Sequence, residues 1–518
     1  MFNNYLISLF LFSPFIASLL VLFCGKILNS RKLAYYVALG ASIIIFIFAL
    51  LFYYCFTPEQ LADSSSTKLF WFAEGISYYL AIDNISLIFI LYISFIFPFL
   101  ILSTSNNHSC YAYFICLLLL EFALLGVFLS RNLLLFYIFF EASLIPVFFI
   151  MFLWGGNNRF YASFKFFLYT LCGSLLMLVG MMILYSYSSS LNINELLIYD
   201  IPPLLQLSLF WLFFIAFAIK LPIFPLHSWL RNAIIEAPKE MTMAIAGILF
   251  LLGGYGILFI ILPLFPLAVS QYKFFIYIIS IIGVFYGFII ALCQTDAKKL
   301  MCYSLIAHMS YIVLGLFSGN IYGIEGAIFQ MLAHGLIALA IFYLIGILYE
   351  RFQSSDILSF SNLAKKMPKY SSVLLILIMA NIGLPVTAGF VGEFLIFVSI
   401  YKYSFILSIL ATMGVFLSAS YALWFYRGLI FRSSNIDSLE YVDLTVKEKF
   451  ISYSFVAVIL FFGIYPSPIF KLMSFEIGNK VYSLQEQSFI ASDKIAISNY
   501  SDYINPKYLS NVNISRVR

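Results

Sequence analysis

The sequence predicts an all-α polytopic integral membrane protein with about fourteen transmembrane helices. Three observations carry this. Of 518 residues, 63% are hydrophobic and 10% charged, where a soluble domain carries about 25% charged residues. The mean hydropathy is +1.02. The apolar runs reach the ~20 residues needed to cross ~30 Å of hydrocarbon, and they are continuous, unlike the alternating pattern of a β-barrel. Secreted, disordered and nucleic-acid-binding readings are excluded on the same grounds, so no nucleic-acid partner is expected.

In order, the predicted spans lie near 5–24, 33–56, 84–103, 112–129, 132–153, 160–187, 205–229, 241–262, 272–292, 300–317, 321–349, 371–401, 404–426 and 450–470. The first, Tyr5 to Cys24, lacks a basic leader and a small-residue cleavage site, so it reads as a retained helix with no import presequence before it. Loops after odd-numbered spans hold sixteen Lys and Arg, and those after even-numbered spans hold four. Basic residues stay on the side of insertion, which puts the odd loops on the matrix or cytoplasmic face and both termini outside. Residues 57–80 read as an acidic loop and 471–518 as a mixed-charge tail without an assigned fold. The bias to Phe (59) and Tyr (37) fits an A/T-rich organelle genome. A mitochondrial inner membrane is therefore expected, with a bacterial plasma membrane as the alternative.

Ionisable side chains in the bilayer core cost ~2.5–3.5 kcal/mol on insertion scales and are functional candidates by default. Glu141 lies about 14 Å into the fifth span and His308 about 12 Å into the tenth, at 1.5 Å per residue. His334 is near the middle of the eleventh, and Lys220 falls in the seventh beside a break. Glu393, Glu121 and Lys165 are also intramembrane; the last two are secondary candidates, since they could snorkel to an interface. Seven cysteines form no CxxC pair or cluster, and four histidines are too few for two bis-histidine haems. No metal site and no resident cofactor are expected. Two spans are interrupted. Pro222 and Pro225 follow Lys220, and Gly383, Pro385 and Gly389 precede Glu393. Prolines remove backbone donors and break helices, and broken spans at matching positions of two halves point to inverted repeats. Five-helix repeats are then expected over 111–265 and 266–430, between N-terminal helices 1–110 and a last helix with tail, 431–518.

These residues sit in longer motifs: FYIFFEASLIPVFFIMFLWGG (136–156), KFFLYTLCGSLLML (165–178), FAIKLPIFPLHSWL (217–230), EAP (236–238) and GGYG (253–256). They continue as DAKKLMCYSLIAHMSYIVLGLFSGN (296–320), GIEGAIFQMLAHGLIALAIFYLIGILYER (323–351) and ANIGLPVTAGFVGEF (380–394). In this order and spacing, over roughly residues 110–430, the chain resembles the antiporter-like proton-pumping membrane subunits of NADH:ubiquinone oxidoreductase, respiratory complex I. The acid at Glu393, where sister subunits carry lysine, points to the chain-4 branch.

The resemblance implies a proton channel in which Glu141 pairs with Lys220, His308 and His334 form a central relay and Glu393 ends the second half-channel. It implies other membrane-arm subunits, including the other antiporter-like chains, as partners, together with membrane lipids and a bound lipid as the one small-molecule ligand. Flavin and iron–sulfur clusters would sit in other subunits, and this chain has no dinucleotide fingerprint. There are departures. Leu251 stands where the family has lysine, Arg231 where it has proline and Ile234 where it has histidine. With Leu251 in place, waters held near Gly253, Gly254, Ser304 and Ser310 would have to bridge Lys220 to His308. A cation/proton antiporter subunit shares these motifs and is the rival reading, and a scaffold that transports nothing is a third.

Overall fold

The computed structural model describes residues 2–55, 66–73, 75–104, 110–360, 362–431, 441–474 and 476–478. Its principal helices are α1 (Phe2–Leu22), α2 (Arg31–Cys55), α3 (Asn84–Ser103), α4 (Tyr111–Leu129), α5 (Leu133–Trp154), α6 (Arg159–Ser188), α7 (Pro203–Lys220) and α8 (Ser228–Glu236). They continue as α9 (Lys239–Leu264), α10 (Pro266–Leu292), α11 (Ala297–Leu316), α12 (Ile321–Phe352), α13 (Pro368–Ile382), α14 (Ala388–Tyr403), α15 (Phe405–Ile430), α16 (Val446–Ile464) and α17 (Ser467–Ser474). Among the described residues, twelve helices are long and apolar enough to cross a membrane, thirteen if α16 and α17, bent by 64°, are taken as one. The predicted span 371–401 is carried by two shorter helices, α13 and α14, on either side of a break.

Burial separates the helices into two kinds. α1 and α2 expose most of their apolar surface, whereas α9 and α12 are buried along their whole apolar stretch. In lipid, association rests on close packing rather than on hydrophobic exclusion. α9 and α12 meet through small residues: a Cβ on Gly247 would lie 3.1 Å from the Gly335 carbonyl and 2.9 Å from Leu339. π-helical turns at Ile245–Leu249 and Ile257–Ile261 interrupt α9 on both sides of Leu251. α12 also packs on α11, α13, α14 and α16, which makes it the post around which the second half is built.

The predicted loop 57–80 is corrected in part. Residues 57–65 and 74 lie outside the described residues, but β1 (Ser66–Ala73) and β2 (Ile76–Ala81) form an antiparallel hairpin with Lys68 opposite Tyr79. Aromatic residues favour strands, and Gly75 turns the chain at φ +73°. The hairpin is tied down by Arg131 N–H to the Tyr79 carbonyl, 2.9 Å, and Leu191 N–H to the Gly75 carbonyl, 3.0 Å. The tail is corrected likewise. Residues 471–474 and 476–478 are helical, with Met473 and Ile477 buried, while 479–518 lie outside the described residues.

Loops predicted to share a side do meet. Asp83 pairs with Arg131 at 2.6 Å and Lys68 with Glu195 at 2.8 Å, all from even loops. Lys239 pairs with Glu350 at 2.7 Å and Arg351 with Glu448 at 2.5 Å, all from odd ones. Arg131 is 4% exposed. A buried guanidinium needs partners on every face, and it finds them in Asp83, the Tyr255 hydroxyl at 3.0 Å and the Phe259 ring beneath it at 4.4 Å.

Candidate functional site: a buried polar relay between two broken helices

Lys220 stands in the last turn of α7, where Pro222 and Pro225 end the helix. A cation at a helix C-terminus faces unpaired carbonyls and is favoured there. The break is held by Trp229, whose Nε1–H donates to the Ile219 carbonyl at 2.9 Å, so one carbonyl freed by the prolines keeps a partner. Lys220 is 2% exposed, its Nζ makes no hydrogen bond among the described residues, and it lies 4.8 Å from the centre of the Phe140 ring.

The expected direct pairing of Glu141 with Lys220 is not what the structure has. No carboxylate lies within 4.0 Å of Lys220 among the described residues. Successive helical residues point 100° apart. With Phe140 turned to Lys220, Glu141 turns towards Ser174 of α6, and the two charges interact only through space. Glu141 is half-buried.

In the second half the pieces touch. His308 on α11 and His334 on α12 stack with ring centroids 4.1 Å apart and planes at 29°. His308 Nδ1 lies 3.1 Å from Glu393 Oε1, and Gln330 Nε2–H donates to the same oxygen at 3.1 Å. All four are buried. A carboxylate would accept from Nδ1–H, and a protonated carboxyl could donate to Nδ1, so the contact survives either proton position. The free ends of this network, His308 Nε2 and His334 Nε2, have no hydrogen-bond partner among the described residues. Glu393 occupies the second turn of α14, which restarts after Gly383 at φ +83° and Val386 at φ +83°. A Cβ on Gly383 would sit 2.7 Å from Glu393 Oε2, so glycine serves there both the turn and the carboxyl. Below the dyad, Tyr421 bonds Ser304 and accepts from Asn381 Nδ2 at 2.5 Å.

The two secondary candidates stand apart from both groups. Glu121 is fully buried with neither carboxyl oxygen hydrogen-bonded among the described residues. Lys165 is half-buried and lies over the Tyr161 ring one turn back on α6, at 5.8 Å. The waters expected past Leu251 would meet close packing at both glycines. A Cβ on Gly253 would lie 2.6 Å from the Phe217 carbonyl, and one on Gly254 would run into the Met331 sulfur. Ser310 bonds its own helix at the Ile306 carbonyl and Ser304 is taken by Tyr421. Gln330, Phe140 and Tyr421 escaped the reading of charges because none carries one. A signal for Gln330 exists: an amide in an apolar helix, four residues before His334 and so on its face.

Comparison with known proteins places this geometry. Residues 130–418 match the family described as NADH:quinone oxidoreductase/Mrp antiporter, transmembrane. NADH-quinone oxidoreductase subunit M of Rhodobacter capsulatus is 39% identical over 493 residues, 92% of this chain and 96% of the relative. NADH-ubiquinone oxidoreductase chain 4 of Arabidopsis thaliana is 36% identical over 90% of this chain and 95% of the relative. A chain of respiratory complex I from Thermus thermophilus superposes with a TM-score of 0.84 at 29% identity, covering 92% of this chain and 99% of that one. With its broken α7 and α13/α14 and its buried relay, the chain belongs to the family of NADH:quinone oxidoreductase and Mrp antiporter membrane subunits.

Proposed function

We propose that this chain carries protons across the membrane as an antiporter-like subunit of a complex-I-type NADH:quinone oxidoreductase, with Glu141 and Lys220 in a first half-channel and His308, His334 and Glu393 in a second. The observation that carries this is the buried contact of His308 with Glu393 and His334, three titratable groups within proton-hopping reach. The redox energy is released in other subunits, so what this chain supplies is proton binding and its switching. Lys220 rests on the Phe140 ring, a contact worth about 2 kcal/mol when desolvated. Swinging Glu141 onto Lys220 would add about 4 kcal/mol for a ~4 Å pair at an effective dielectric of ~20. Moving it away withdraws that support and favours release of the lysine proton. Such a difference shifts an equilibrium by roughly a thousandfold, enough for a switch.

Lys220→Ala or Glu141→Ala in the assembled complex is expected to abolish most proton pumping while NADH oxidation by artificial acceptors continues. Normal pumping by assembled Lys220→Ala complexes would refute the reading. The family also contains cation/proton antiporters; co-purification in a large NADH-oxidising assembly separates the two. We take the mitochondrial inner membrane as the home membrane, supported by the plant relative and the aromatic bias, with a bacterial plasma membrane as the alternative that the bacterial relative supports. The odd loops face inward, by their excess of Lys and Arg. A cysteine introduced at Leu69 should then be labelled from the outer side and one at Lys365 from the inner side; labelling of both from one side would overturn the orientation.

A further inference from the structure

α9 has no Asp, Glu, Lys, Arg or His between residues 241 and 264, and it is closely packed at Gly253 against Phe217 and Leu221 and at Gly254 against Met331. Ionisable groups gather instead at the other end of that helix. Glu240, in its first turn, is 0% exposed, and the Tyr113 hydroxyl of α4 donates to its Oε2 at 2.9 Å. Its neighbour Lys239 turns the other way, to Glu350 of α12 at 2.7 Å, and its ammonium lies 5.6 Å from the Tyr343 ring. The Lys239 stem lies against Gly346, where any Cβ would run into it. Glu350 is one-third exposed and so reaches water. Lys447 at the start of α16 donates to the Thr104 carbonyl at 3.1 Å and feels the charges of Lys239, Glu240, Glu350 and Glu448. Ionisable groups thus run from the surface to a carboxyl fully enclosed among helices.

We infer that Glu240 is a proton-loading carboxyl at the inner end of α9, which takes protons from the inner aqueous face and passes them to the His308–His334–Glu393 group along α9, while Lys220 keeps its part as the switch of the first half-channel. Three features fit this role. The Tyr113 phenol is a neutral partner that can donate to a carboxylate and accept from a carboxylic acid, so the bond holds Glu240 in place whether the proton is present or absent. Glu350, one-third exposed, reaches water and is paired with Lys239, the residue beside Glu240; in the proposed step a proton leaves water, protonates Glu240, and leaves Glu240 as carboxylate again when passed on. The onward step has a hydroxyl to run to, that of Tyr92. Seven residues up α9, about 10 Å, the π-helical turn presents the Gly247 carbonyl, which accepts from the Tyr92 hydroxyl at 2.8 Å. That hydroxyl sits against Gly335, the residue after His334, in the space a Cβ would fill.

The inference rests on the proton-translocating reading above, and its test keeps the two apart. In closed membrane vesicles carrying the assembled complex, protons moved per NADH would be measured for Glu240→Gln, Glu240→Asp, Tyr113→Phe and, as reference, Glu393→Gln. NADH oxidation by an artificial acceptor reports assembly. Glu240→Gln should lower the proton yield to the level of Glu393→Gln, Glu240→Asp should restore at least half of the loss, and Tyr113→Phe should slow pumping severalfold. A wild-type yield in Glu240→Gln, with Glu393→Gln impaired, overturns the port alone. Wild-type yields in both overturn the underlying pathway. If Glu240→Gln does not assemble, Tyr113→Phe decides, and an unchanged rate there refutes the port.

Discussion

The two broken helices use one backbone device for opposite electrical purposes. At the first, Lys220 closes α7 at its carbonyl end, with a ring beneath it and no hydrogen bond among the described residues. At the second, Glu393 opens α14 near its amide end and is held by His308 and Gln330 on one oxygen. A buried cation on a ring alone depends on a charge that can come and go, here Glu141. A carboxyl held by a histidine and an amide has its partners fixed and changes only the proton it shares. In the proposed mechanism the first break is the part that moves charge, and the second is the part that keeps a place for it.

The comparison can be broken most severely at Gly383. Gly383→Ala would force an L-residue into the left-handed region, about 1–2 kcal/mol, and bring its Cβ onto the Glu393 carboxyl. Pumping is expected to fall at least tenfold with assembly retained; a near-normal yield would mean that Glu393 need not be held. Phe140→Leu sharpens the other half. It removes the ring under Lys220, a loss of about 2 kcal/mol in a desolvated site, and should lower pumping several-fold, with Phe140→Tyr close to wild type. Equal activity of the Leu and Tyr variants would show that the ring only fills space. The smallest effect is expected outside the membrane, where Glu195 meets Lys68, Ser190 and Asn192. Partial burial pushes its carboxyl up, but those hydrogen bonds and the Lys68 charge pull it further down, so it lies below its ordinary value. A depressed carboxyl stabilises at pH above its unfolded value of about 4.3 and loses that contribution as pH falls through its folded value. Hydrogen-exchange protection of 189–196 should be flat from pH 7 to about 5 and drop below, and Glu195→Gln should remove the drop.

Much of this was legible because prolines and charges punctuate a membrane sequence. Pro222, Pro225 and Gly383 marked both breaks, and Lys220, His308, His334 and Glu393 stood out from apolar runs that leave them few alternatives. What could not be read depends on helix rotation and on neutral groups. Nothing in the order Phe140-Glu141 says which of the two faces Lys220; that is set by how α5 packs between α4 and α6. Gln330 and Tyr421 do not titrate, so a search for charge passes over them. The hairpin at 66–81 was hidden by the surrounding membrane pattern, although its aromatic strands and Gly75 are ordinary strand and turn signals. Glu240 was overlooked for a different reason: it lies at a span end, where carboxylates are usually wet, and only the packing of α3, α4, α5 and α12 around its segment encloses it.

The full enclosure of α9 has a consequence for how such a chain can drift over time. A position exposed on the surface of this chain in α1 or α2, such as Ile44 or Leu51, answers mainly to hydrophobicity where it meets lipid, so Ile, Leu, Phe and Val are interchangeable there. A position on α9 answers to volume and shape, because every direction around the helix is another side chain. Substitutions in α9 are then tolerated only with matching changes in α7 or α12, and divergence there comes in compensated pairs. Leu251 is such a position. A lysine placed there alone would need room, partners and water that Met331, Leu339 and Phe217 now take up around its helix.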